Sequence, residues 1–118
     1  MAKNNCQLKI ECDGEVMTAS LSGELDHHSA VAVRTHIDAE ICRLSPKKTV
    51  LELEELDFMD SSGLGLIMGR HALMQRRGGQ LIVRNANERV MRIVDLAGLE
   101  RMVKIEVKEK ANEGKRSK

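Results

Sequence analysis

Residues 53–69 read L-E-E-L-D-F-M-D-S-S-G-L-G-L-I-M-G, and within them the apolar period changes from that of a strand to that of a helix. The change falls on Asp60, Ser61, Ser62, Gly63 and Gly65. Carboxylate and hydroxyl side chains accept hydrogen bonds from the unpaired N–H groups of a helix's first turn. Glycines there let the backbone turn tightly and come close to a neighbour. The stretch predicts a strand that delivers a serine to the start of a helix, beside free N–H groups and the positive end of a dipole.

The rest of the chain continues the alternation. Leu8, Ile10 and Cys12 alternate with Gln7, Lys9 and Glu11, a half-buried first strand. Asp13-Gly14 is a two-residue hairpin signal, and Met17, Ala19 and Leu21 mark a second, antiparallel strand that ends at Gly23. Ala30, Val33, Ile37, Ile41 and Leu44 recur at helical spacing, which predicts a helix over 29–43, stopped by Pro46. A strand follows over 49–53. The helix from Ser61 carries Leu64, Ile67, Met68 and Ala72, with Leu66 and Leu73 on another flank, an apolar coverage broad enough to suggest a helix that is sandwiched or meets a partner in part. Arg76-Arg77-Gly78-Gly79 ends it with cations and then glycine.

Leu81-Ile82-Val83 is an unbroken apolar strand, expected where a sheet is covered on both faces. Asn85 with Glu88 resembles a capping box for a third helix through Val90, Ile93, Val94 and Ala97, closed by Gly98. Val103, Ile105 and Val107 alternate as a last strand. The expected order is β-β-α-β-α-β-α-β. This is an α/β domain over 1–107, with a mixed, mainly parallel sheet, an N-terminal hairpin and crossover helices. Residues 108–118 are charged and poor in apolar groups, a tail expected to be flexible.

Bulk properties narrow the function. A chain of 118 residues is one domain that buries roughly two-thirds of its unfolded surface. Formal net charge is +1 and Phe58 is the single aromatic residue, so neither charge nor stacking favours nucleic acid. No apolar run approaches the ~20 residues of a membrane span, and the N-terminus has no apolar signal region, which predicts a cytoplasmic protein. Cys6, Cys12 and Cys42 lack metal-site spacing and are expected to be reduced thiols packed as small apolar groups. No four ligands assemble into a metal site.

Several chemistries can be weighed on the serine stretch. Gly69 falls one position late for a dinucleotide G-x-G-x-x-G, and the acidic ribose ligand about 20 residues on is replaced by Val83 and Arg84. A small serine hydrolase stays open as an alternative, although Asp60-Ser61-Ser62-Gly63 is not G-x-S-x-G. Its base would come from His27, His28, His36 or His71, and His27-His28 is expected beside the serine because loops at one end of a parallel sheet converge. Glu52, Glu54, Glu55 and Asp57 resemble a carboxylate cluster and read as a solvated rim in preference to a metal site, with Glu55 past the end of its strand. The serine can also be a substrate. A phosphate would add about −1.5 to −2 charges beside Asp60, on a surface carrying Phe58, Met59 and Leu64. That changes docking and leaves the fold intact.

Gly23-Glu24-Leu25-Asp26-His27-His28, together with Phe58-Met59-Asp60-Ser61-Ser62-Gly63-Leu64-Gly65 and Gly69-Arg70, resembles the anti-sigma factor antagonists. These are stand-alone members of the STAS domain family (sulphate transporter and anti-sigma factor antagonist), and the Asp-His-His version looks most like the sporulation type that serves the forespore sigma factor. The resemblance implies a STAS fold over about 8–107. It implies a non-enzymatic partner switch with no cofactor, no direct nucleic-acid contact and no membrane contact. The unphosphorylated form binds an anti-sigma factor that is also a serine kinase, and the sigma factor is released. The kinase then phosphorylates the antagonist with ATP, and a metal-dependent, PP2C-like serine phosphatase resets it. By match to the motif, Ser61 is the phosphorylated serine, with Ser62 its adjacent alternative. Asp60, Ser62, Gly63 and Leu64 belong to the partner-binding loop, and Asp26 frames the same surface. A general-stress antagonist of the same family is the alternative within it. The family often adds a C-terminal helix, which Ala111 alone does not encourage here.

Overall fold

The computed structural model describes residues 5–107. Its elements in order are β1 (Cys6–Asp13), β2 (Val16–Leu25), α1 (His27–Leu44), β3 (Lys48–Met59), α2 (Ser61–Arg76), β4 (Gln80–Arg84), α3 (Glu88–Leu96), a 3₁₀ turn (Leu99–Arg101) and β5 (Lys104–Glu106). The five strands lie in the order β1-β2-β3-β4-β5, with β1 antiparallel to β2 and every other pair parallel. This is the expected order with a 3₁₀ turn added.

Each parallel pair needs a crossover, and three crossovers step across the sheet in one direction. Right-handed connections in one direction put their helices on one face. The core agrees: Val33, Ile37 and Ile41 of α1, Leu66 and Met74 of α2, and Val90 and Val94 of α3 join Met17, Ala19, Leu21, Leu51, Leu53, Leu81 and Val83 in one cluster. Val50 and Ile82, register partners pointing the other way, are also buried, so β4 is covered on both faces as its unbroken run predicts.

Several boundaries differ from expectation, each for a local reason. Asp13 pairs with Val16, so the hairpin loop is Gly14-Glu15, one residue on, with Gly14 at φ +63°. β2 runs past Gly23 to Leu25. Gly23 sits at φ +94°, and a Cβ there would strike the Asn5 carbonyl oxygen. β3 runs to Met59 because its register is irregular twice: Ser20 pairs with Glu52 but Ser22 with Glu55, and Gly23 with Leu56 but Glu24 with Phe58, so β3 spends an extra residue at each. Leu53 and Leu56 are consequently both buried three positions apart, which hides the strand from a period-two reading, and Glu55 lies inside it.

α1 starts at His27, earlier than the expected 29. α2 buries Leu66, Ile67, Arg70 and Met74, whereas Met68 is 45% exposed and Ala72 is exposed, so part of its broad apolar surface faces outward. The cap of α3 is Asn87, whose Oδ1 accepts from Val90 N–H at 2.8 Å; Asn85 instead adopts a left-handed turn at φ +61°. Val107 lies past β5 and is exposed. Only Cys6 is packed as a small apolar group, and its burial pushes the thiol up to about 11; Cys12 and Cys42 are exposed. No helix among the described residues is long and apolar enough to cross a membrane. The tail expected over 108–118 lies outside the described residues.

Candidate functional site

Leu25 and Met59 are register partners at the ends of β2 and β3, so Asp26 and Asp60 leave the sheet side by side. Asp60 N–H donates to the Leu25 carbonyl at 3.2 Å, which extends the pairing by one link. Both aspartates are extended and each caps the helix that follows it. Two helix N-termini therefore open next to each other at the C-terminal edge of a parallel sheet, where α/β folds gather their binding loops.

Asp26 is held on every side. Its Oδ1 accepts from Ser29 N–H at 2.9 Å and lies 3.0 Å from Ser29 Oγ, while Asp26 N–H donates to Ser29 Oγ at 3.1 Å. Asn5 Nδ2 donates to Oδ2 at 3.2 Å. The Ser29 backbone N–H first, then the Ser29 hydroxyl and Asn5, hold the Asp26 carboxyl below the usual carboxylate range. Ser29 is buried and closes a capping box three residues after the aspartate, a spacing legible in Asp26-x-x-Ser29. The Asn5 contact is tertiary and has no such signal.

The second loop is built from the expected residues. Asp60 Oδ1 accepts from Ser62 N–H at 2.8 Å, and Gly63 N–H donates to the Asp60 carbonyl at 2.9 Å. Gly63 is buried against Met59; a Cβ would fall 2.6 Å from the Met59 sulfur. Leu64 is half-buried against the core. Ser61 is exposed, and its hydroxyl has no partner among the described residues. Ser62 is half-buried, with Oγ 3.5 Å from His27 Nδ1. Asp26, Asp60, Ser61, Ser62, Gly63 and Leu64 thus share one edge of the domain. Phe58 is 42% exposed near that edge, whereas Met59, expected on the surface, is in the core.

Of the four histidines only His27 is bonded to a serine, and nothing among the described residues bonds its other nitrogen. His28 and His36 are exposed, and His71 lies ten residues beyond Ser61 on α2, about 15 Å along the axis. A Ser–His pair lacking a third group to orient the imidazole is an incomplete catalytic constellation. The carboxylates of β3 do not converge: Glu52 accepts from Asn85 Nδ2 at 3.0 Å, and Glu54, Glu55 and Asp57 are exposed. Among the described residues, no three His, Cys, Asp or Glu side chains gather as metal ligands.

Further down the helices, Arg70 Nε lies 2.8 Å from Asp38 Oδ1 and ties α2 to α1. Arg70 is only 7% exposed; burial lowers its pKa, and Asp38 opposes that. The cleft above this pair, between the first turns of α1 and α2, is lined by His27, Val31 and Arg34 on one side and Ser62 and Gly65 on the other.

Known proteins share this fold. An anti-sigma F factor antagonist of Paenibacillus polymyxa is 43% identical over 101 residues, which cover 86% of each chain. The fold superposes on the anti-sigma factor antagonist SpoIIAA in its unphosphorylated form with a TM-score of 0.78, at 28% identity, covering 90% of this chain and 91% of that one. Against the Bacillus cell fate determinant SpoIIAA in the phosphorylated form the TM-score is 0.71, at 27% identity, covering 90% and 95%. The STAS domain profile matches residues 7–112, and the chain belongs to the STAS domain family.

Proposed function

We propose that this chain is an anti-sigma factor antagonist working by partner switching. Unphosphorylated, it binds an anti-sigma factor that is also a serine kinase, and the sporulation sigma factor is released. The kinase moves a phosphate from ATP to Ser61, the phosphorylated chain leaves, and a PP2C-like serine phosphatase returns it to the binding form. The cycle runs in the cytoplasm, on one STAS domain over 1–107 followed by a charged tail. Asp26, Asp60, Ser62, Gly63 and Leu64 form the docking edge.

The observation that carries this reading is the exposed, unbonded hydroxyl of Ser61 on the first turn of α2, beside a second capped helix. Ser62 is less suited, because it is half-buried and its hydroxyl faces His27. A phosphate at a helix N-terminus is accommodated by the dipole and free N–H groups, while it repels acidic partner groups and is costly to desolvate in an interface. The sporulation-type relative favours a sporulation sigma factor over a general-stress one. The hydrolase alternative is weakened by the unoriented His27.

Mixing the protein with its cognate kinase and ATP, then mapping phosphate by mass spectrometry, tests the assignment. Ser61→Ala is expected to stay bound to the kinase, unphosphorylated, and Ser61→Asp to bind poorly. Full phosphorylation of Ser61→Ala would refute the site. Ester turnover that disappears with Ser61→Ala would establish the hydrolase instead.

A further inference from the structure

The cleft between α1 and α2 is lined on the α2 side by Ser62 and Gly65, one and four residues after Ser61, and its wall carries a charge that nothing in the described structure balances. Arg34 lines it from an exposed position and makes no hydrogen bond or ion pair among the described residues. His27 and Ser62 line it too, and no acidic residue does. The nearby carboxylates are committed elsewhere. Asp26 and Asp60 turn into their own helix caps, and Asp38 pairs with Arg70. Arg34 is close enough to Arg70 to disfavour its protonated form, so two guanidinium groups share this seam with one carboxylate.

Direction matters as well as charge. Helical side chains lean back towards the N-terminus of their helix. Arg34 lies seven residues after His27, about 10 Å along the axis, and a long side chain leaning back spans much of that gap. At the His27 end the cleft meets the first turn of α2, where Nδ1 is already 3.5 Å from the Ser62 hydroxyl.

We propose that this cleft is the internal receptor for the phosphate carried on Ser61, with Arg34 and His27 as its ligands. The inference rests on Ser61 being the phosphoacceptor. A planar guanidinium can give two parallel N–H bonds to phosphate oxygens, and the imidazole a third. The phosphate then covers Val31 and Gly65, so the off state is a closed surface as well as a charged one. A phosphate held this way is also a slower substrate for the phosphatase.

The protein is phosphorylated by its kinase, and mass spectrometry first verifies the phosphate on Ser61; its absence would defeat the underlying reading and not the receptor. A ³¹P NMR titration of the phosphoprotein then gives the second phosphate pKa. A nearby guanidinium and hydrogen-bond donors favour the dianion, so the wild-type value is expected about half a unit or more below those of the Arg34→Gln and His27→Gln phosphoproteins. Both variants are expected to lose phosphate about three- to tenfold faster to a purified PP2C-class phosphatase. Both positions are exposed, and thermal unfolding checks that the variants are folded. Superimposable ³¹P titration curves for the three proteins would overturn the proposal.

Discussion

Asp38 and Arg70 pair across the seam between α1 and α2, 2.8 Å apart, with Arg70 almost wholly enclosed and Asp38 partly open to water. The asymmetry makes the two ends of the pair unequal. Asp38→Ala leaves a buried guanidinium without its counter-charge, whereas Arg70→Met removes the charge and keeps most of the volume. Breaking a fully buried pair costs about 3–5 kcal/mol, and the open side of Asp38 reduces that to about 1–3 kcal/mol here. Arg70→Met is expected to cost less than Asp38→Ala in urea unfolding. The reverse order would mean that packing by the arginine stem, not desolvation, governs the contact.

Gly63 and Gly65 differ although both lie in the first turns of α2. A Cβ at 63 would meet the Met59 sulfur at 2.6 Å, whereas one at 65 meets nothing within 4 Å. Gly63→Ala is therefore expected to destabilise by about 1–3 kcal/mol as Met59 is displaced. Gly65→Ala is expected to stabilise by about 0.5–1 kcal/mol, the usual helix gain. If the open side of Gly65 serves partner approach, the same variant binds the kinase more weakly while melting higher. A Gly65→Ala protein that melts higher and binds as wild type would remove this glycine from the interface.

Much of this was legible in the residues. The change of period across residues 53–69 announced the strand, the turn and a serine on the first turn of α2, because capping and periodicity are local. What stayed hidden was tertiary or irregular. The bulge between Glu52 and Glu55 broke the alternation and shortened β3 on paper. Which of α2's apolar residues face the core was not legible, because apolar character alone does not say which way the helix is rotated, and Arg70 gave no packing signal because its partner is 32 residues away on another helix. Asn5 carried no signal at all, since its bond to Asp26 exists only once β1 lies beside β2.

The three cysteines are expected to separate in a thiol assay. Cys12 and Cys42 are exposed, while Cys6 is buried with its thiol pushed up to about 11, chiefly by desolvation. Reaction needs both access and thiolate. Native protein at pH 8 should release two equivalents of chromophore quickly from an aromatic disulfide reagent, and the third only on unfolding in denaturant. Three fast equivalents would mean that the start of β1 opens from the sheet at low cost.

Asp26 makes an acid-dependent contribution whose sign can be worked out. Its folded pKa lies below the unfolded carboxylate value of about 3.9, because Ser29 and Asn5 bond the charged form. The stabilisation is therefore fully present above the unfolded value and is lost as pH falls through the folded one. Asn5→Ala removes one of the bonds that lower the folded pKa, so its loss with acid should be shallower than that of wild type. Asp26→Asn removes this titration altogether. Urea midpoints measured from pH 5 down to pH 2.5 are expected to converge for wild type and the two variants at the acid end and to diverge above pH 4. Parallel curves with a constant offset would show that the Asn5–Asp26 contact acts through packing alone, and that the carboxylate charge at the head of α1 does not feel the N-terminal strand.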